Sequence, residues 1–148
     1  MALKISTGLR NYLLDNGSVK DALDGGLIKQ YSGPVPATAD AAIAGGNTLL
    51  RTISVNGAGG GISFDAAAVD GTLSKDPAEV WSGTIVATDT ATFYRHVSAA
   101  DTGVLSTTEP RIQGSIGVAG AEMNVSTVAF VTGVSNTLNN YTLTLPTL

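Results

Sequence analysis

The feature that most constrains this chain is a change of period at Leu27. Before it, apolar residues recur at helical spacing; after it, nearly every run alternates apolar and polar residues between clusters of Gly, Pro, Asn and Asp. A spacing of 3.6 places every third or fourth residue on one face, whereas a spacing of 2 places alternate residues on opposite faces of a sheet. The prediction is a mainly β chain, an antiparallel β-sandwich of jelly-roll type, with residues 1–26 as a short N-terminal helical arm and 27–148 as the β domain. Together they form one structural unit.

The arm reads as two short helices. Ser6 caps the first, Ile5, Leu9, Tyr12 and Leu13 fall near one face, and Gly17 closes it; Ser18 opens the second, which carries Val19, Ala22 and Leu23 and ends at Gly25-Gly26. Helices this short are marginal alone, so the arm must lie on the β core or on a neighbouring subunit.

Strands are predicted at Leu27–Tyr31, Thr48–Val55, Glu79–Val86, Ala91–Ser98, Arg111–Gly117, Asn124–Val131 and Asn140–Leu145, with a hairpin at Asp70-Gly71 and one Ala-rich turn of helix near Thr38–Ile43. Arg51 falls on the more apolar face of its strand and reads as a rim arginine whose stem snorkels out. Trp81, Phe93 and Tyr94 lie in two neighbouring runs, which predicts a cross-strand aromatic cluster. The run from Asn56 to Gly61 is too rich in glycine for a strand and reads as a mobile or tightly turned loop.

Composition bears on function more than on fold. Charged residues make up 14% of the 148, against roughly 25% in an ordinary soluble domain, and Thr, Ser, Gly and Ala fill the gap. A surface short of long charged side chains loses less entropy and hydration when a neighbour covers it. The net charge is −4 and the basic residues are scattered singly, so no stripe is available for phosphates and direct binding to nucleic acid is not expected. No apolar run is long enough for a membrane span. The opening Met1–Gly8 lacks the apolar core of a secretory signal, which predicts a chain made in a cytoplasm and released by lysis if at all.

The usual catalytic constellations are missing. There is one histidine, His96, no cysteine and no Gly-x-Ser-x-Gly elbow. The aspartates Asp65, Asp70, Asp76, Asp89 and Asp101 form no EF-hand array, and the Gly57–Gly61 run lacks the Lys-Ser/Thr ending of a phosphate loop. Glu79 and Glu109 are the conceivable carboxylate pair for glycoside hydrolysis. The expectation is a protein that is no enzyme, with no catalytic residues, no cofactor and no metal.

The segment Tyr31–Ala42, the run Thr48–Gly57, Trp81-Ser82-Gly83-Thr84 leading to Ala91–Arg95, and Arg111–Gly117 resemble a group of small tailed-bacteriophage virion proteins, as does the opening Ser6–Asn11. The likeness lies in framework residues across most of the chain. It implies a component of the virion, with capsid decoration or cement as the favoured role, bridging major capsid subunits and associating with copies of itself. A tail, fibre-base or head-to-tail joining protein is the competing role. A carbohydrate-binding jelly-roll is a further alternative, and it requires Trp81 or Tyr94 exposed in a groove. The residues singled out for contact with neighbours are Leu9, Tyr12 and Leu13 on the arm, and Arg51, Trp81 and Tyr94 in the strands.

Overall fold

The structure is a computed structural model and describes residues 2–145. A two-residue strand β1 (Lys4–Ile5) precedes helices α1 (Thr7–Asp15) and α2 (Val19–Leu23). The strands that follow are β2 (Leu27–Ser32), β3 (Thr48–Val55), β4 (Thr72–Ser74), β5 (Trp81–Thr84), β6 (Asp89–Thr90), β7 (Phe93–Val97) and β8 (Arg111–Gly117). The chain ends in β9 (Met123–Asn124), β10 (Ala129–Phe130), β11 (Ser135–Thr137) and β12 (Thr142–Thr144). One sheet of eight strands runs in the order β1-β8-β7-β2-β3-β5-β11, with β9 parallel to the far end of β8. Two small ribbons, β10-β6 and β12-β4, complete the β structure, so the domain is mainly antiparallel β with a short N-terminal helical segment.

The two helices form where their caps are. The Ser6 hydroxyl accepts from the Leu9 amide at 3.0 Å, and Ser18 and Asp21 make a reciprocal capping box. The arm is built onto its own sheet: the Ser6 amide donates to the Arg111 carbonyl and its hydroxyl to the Glu109 carbonyl, while Leu9 and Leu23 are fully buried in the central cluster.

Register assigns each face of the sheet. On one face Ile112, His96, Ile28 and Ile53 lie across β8, β7, β2 and β3, and the next rung is Gly114, Tyr94, Gln30 and Arg51. Helices, ribbons and the side chains of Phe64, Trp81, Met123, Phe130 and Tyr141 close over this face to make the core. The opposite face carries Lys4, Gln113, Arg95 and Lys29 in one rung, flanked by Arg111 and by Tyr31 stacked on Phe93 at 5.1 Å. Among the described residues no strand covers that side.

Instead the coil 33–47 lies there, and the turn of helix predicted near Thr38–Ile43 is a series of bends. Its carbonyls are taken by side chains of the sheet rather than by amides four residues on. Lys4 donates to Ala37, Gln113 to Pro36, Arg95 to Thr38, and Arg111 to Ala39 and Asp40. Asp40 in turn accepts from the Thr7 amide and hydroxyl, both at 2.7 Å, and ties the coil to the start of α1.

Several predicted strands are present with altered limits. Thr48–Val55 and Arg111–Gly117 form as read, whereas Asn124–Val131 divides into β9 and β10. A register shift at Gln30/Tyr31 interrupts the alternation of β3, so Leu50 and Arg51 are both buried while Leu49 is exposed. The Asp70-Gly71 hairpin forms with both residues at positive φ and two bonds between Val69 and Thr72. The glycine run after Asn56 is a tight turn, closed by bonds from the Val55 amide to Gly60 and the Gly59 amide to the Ser54 hydroxyl.

Candidate functional site

All eight lysines and arginines of the sequence donate hydrogen bonds within the chain. Lys4, Lys29, Arg95 and Arg111 hold the coils over the open face; Lys20 reaches the Phe64 carbonyl and Lys75 the Asp76 carbonyl; Arg51 donates to Gln30 and Arg10 to Thr7. Several cations that look scattered in sequence are gathered by the register; Arg51, Arg95 and Arg111 are buried, the lysines are partly covered and Arg10 is exposed.

Four of the six contact candidates lie inside the subunit. Leu9 and Trp81 are fully buried, Tyr94 is 1% exposed and Arg51 3%, so no neighbouring subunit can pack on the first three without the subunit opening, and Arg51 is approached only through a cleft. Each is inside for a physical reason. Leu9 is on the inner face of α1; Trp81 pairs with Val55 across the sheet and donates from Nε1 to Glu79 at 2.7 Å; Tyr94 covers Gly114 on the core side. Arg51 is therefore no rim arginine. Its guanidinium lies 4.9 Å from the Phe130 ring centre, with Nε donating to Gln30 at 2.6 Å. Tyr12 is half-buried, and Leu13 is 37% exposed.

The aromatic cluster exists but with a different membership. Strands β5 and β7 are separated by β2 and β3, and Phe93 points to the other face. Tyr141 takes the centre, with Phe64, Trp81, Tyr94 and His96 around it at centroid distances from 5.7 to 6.2 Å. Burial pushes the Tyr94 hydroxyl up to about 12 and the Tyr141 hydroxyl well above its ordinary value.

Leu13 borders an apolar groove of about 430 Å³ between the arm, the Ala66–Ala68 turn and β12. Leu3, Ile5, Leu9, Leu73, Leu143 and Leu145 line it, and among the described residues Lys20 is its one charged lining residue. Leu3, Ile5 and Leu145 are exposed, so the groove has an apolar rim as well as an apolar floor.

A second concavity, about 600 Å³, opens beside Phe130 and β11. Its lining is mostly polar, with Asn124, Asn136, Asn139 and Asn140 and several hydroxyls beside Val125, Phe130 and Leu138, and among the described residues Arg51 is the one charged group in it. Burial pulls the Arg51 pKa down, and no described carboxylate pairs with its charge. Its Nη1 is buried without a hydrogen-bond partner among the described residues.

Residues weighed for chemistry are dispersed in structural roles. Glu79 accepts from the Ser63 amide and from Trp81, and Glu109 accepts from Ser98. His96 is wholly buried, no hydrogen bond of good geometry reaches either ring nitrogen among the described residues, and burial pulls its pKa down to about 4. Among the described residues no three of His, Asp and Glu gather as metal ligands. Asp101, a calcium candidate in sequence, is instead the partner of Arg111, and no local signal in the chain connects those two. Comparison with protein-family models, curated proteins and solved structures returns no match to this chain.

Proposed function

We propose that the chain is a non-enzymatic structural subunit of a tailed-bacteriophage virion, a capsid decoration or cement protein that bridges neighbouring major capsid subunits. The observation that carries the proposal is the apolar groove beside α1, whose rim residues Leu3, Ile5, Leu13 and Leu145 remain exposed on a subunit with few surface charges. The occupant is an apolar edge of an adjoining capsid subunit. Modest apolar contacts repeated by the symmetry of a shell add to a large total, which suits a compact clamp present in many copies. In this reading the ribbons over the core face act as the second layer of a jelly-roll-like sandwich. Copies of the subunit associate around a symmetry axis of the shell.

A tail, fibre-base or joining role shares this surface, and copy number separates the two. Quantitative mass spectrometry of purified particles is expected to give copies on the order of hundreds per virion, as a shell-wide lattice demands. A small multiple of the tail symmetry would overturn the decoration role. The carbohydrate-binding alternative built on aromatic platforms loses its basis, since Trp81 and Tyr94 are both in the core.

A further inference from the structure

We infer that the polar cleft around Arg51 is a binding site for a carboxylated saccharide, a uronic acid or a glycan that ends in one. This goes beyond an assembly role and does not depend on it.

Arg51, Arg95 and Arg111 are all buried, and Arg51 and Arg95 each keep an Nη1 without a partner among the described residues, but it is Arg51 that lines the cleft. Arg111 is matched by Asp101 through two nitrogens, and it also donates to three backbone carbonyls. Arg51 is almost as deeply buried, yet the fold gives it one hydrogen bond, from Nε to Gln30, and no carboxylate among the described residues. A buried guanidinium with an unused Nη1 is costly to maintain, and the atoms that relieve it are the two oxygens of a carboxylate, which match the planar fork.

The surroundings narrow the class. Among the described residues Arg51 is the only charged one lining the cleft, so one negative charge is matched and a second is not. A phosphate monoester would bring the second. Most of the remaining wall is amide and hydroxyl, with Val125, Phe130 and Leu138 as its apolar part, and the side-chain amides of Asn136, Asn139 and Asn140 form no hydrogen bond within the chain among the described residues. An asparagine amide both donates and accepts, which suits vicinal hydroxyls on a sugar ring and not an apolar acid. The volume of about 600 Å³ lies in the usual range for a small-molecule site. Gln30 is the positioning residue. Its Oε1 fixes Nε of Arg51, and its own amide donates to the Met123 sulfur at 3.0 Å.

The test is a titration of the full chain with D-glucuronate, D-glucose and sodium sulfate, followed by amide chemical shifts. Saturable glucuronate shifts confined to Arg51, residues 124–130 and residues 135–140 are expected, with glucose at least roughly tenfold weaker, equivalent to 1.4 kcal/mol. Arg51→Met keeps the stem over Phe130 and removes the charge, and it should abolish the shifts. Asn136→Asp sits on the exposed rim, leaves folding unchanged and places a carboxylate against the ligand; it should weaken binding by roughly tenfold as well. Absence of saturable glucuronate shifts, equal affinity for glucose, or binding that survives in both variants would overturn the site. Sulfate shifting the same residues with equal affinity would leave a simple anion hole and overturn the saccharide assignment.

Discussion

Arg111 and Asp101 form a two-point ion pair inside the subunit, with Nη2 3.0 Å from one carboxylate oxygen and Nε donating to the other. Both side chains are 1% exposed. The pair joins the first residue of β8 to the coil after β7, and the same guanidinium reaches the Val104 carbonyl and those of Ala39 and Asp40. Asp101→Asn leaves a buried cation short of its partner, and removal of one member of such a pair costs about 3–5 kcal/mol. Urea unfolding should show that loss for Asp101→Asn and for Arg111→Met. The double variant should lose less than the sum of the two, because neither then leaves a lone charge. Additive losses would show that the pair is not coupled.

Tyr94 and Gly114 face each other across β7 and β8 on the core side. A Cβ built on Gly114 would stand 2.7 Å from Tyr94 Cε1 and 2.9 Å from Glu122 Cβ, and neither can withdraw easily because Tyr94 also packs on Tyr141. Gly114→Ala should cost about 1–3 kcal/mol by overpacking, measured as a lower denaturation midpoint with an unchanged m-value. A neutral result would mean that the tyrosine ring has room to shift.

His96 gives the fold a defined sensitivity to acid. Its neighbours are the rings of Phe64 and Tyr141, the Leu23 carbonyl and the Asp24 carboxylate; the last two favour a proton on it, but burial prevails and the folded value falls to about 4 from 6.5. The unfolded chain therefore binds the proton more readily than the folded one. The contribution is complete above pH 6.5 and is lost as pH falls from there towards 4, in total of order 3 kcal/mol. Stability measured from pH 7 to pH 4 should fall more steeply for the parent than for His96→Phe. Parallel curves would place the acid response elsewhere, in carboxylates such as Glu122, whose hydrogen bonds to Ser115 lower its pKa.

The parts of this fold that are legible in the sequence are those fixed by neighbours in the chain. Ser6 and Ser18 act within three residues of themselves, Asp70-Gly71 turns between two bonded residues, and Thr48–Val55 alternates until its bulge. What escapes such reading depends on contacts distant in sequence. Ser135–Thr137 is polar and exposed and becomes a strand because β5 offers it an edge; Lys4–Ile5 does so because β8 does. The basic residues are the sharpest case. Lys4, Arg95 and Lys29 share one rung only once β1, β8, β7 and β2 are aligned, and the coil 33–47 loses its chance of helix because that rung claims its carbonyls. The cleft is hidden for a similar reason: Arg51 meets Asn136 and Asn140 across some 85 residues of chain.

Leu9 and Leu13 stand one turn apart on the same face of α1, one in the core and one at the groove rim. Leu9 is fully buried in the core cluster, while Leu13 is 37% exposed at the groove. Leu9→Ala should cost about 2–5 kcal/mol, since it opens a cavity in a packed interior. Leu13→Asp should change stability by no more than about 0.5 kcal/mol, the usual range for a surface position. Its effect should fall on assembly. A charge on the groove rim has to be desolvated when an apolar neighbour docks, so occupancy on particles assembled with Leu13→Asp should drop by at least roughly tenfold. Thermal unfolding read beside occupancy separates the outcomes. Full occupancy of a folded Leu13→Asp would remove the groove from the contact, and a large loss of stability in that variant would show that Leu13 belongs to the core instead.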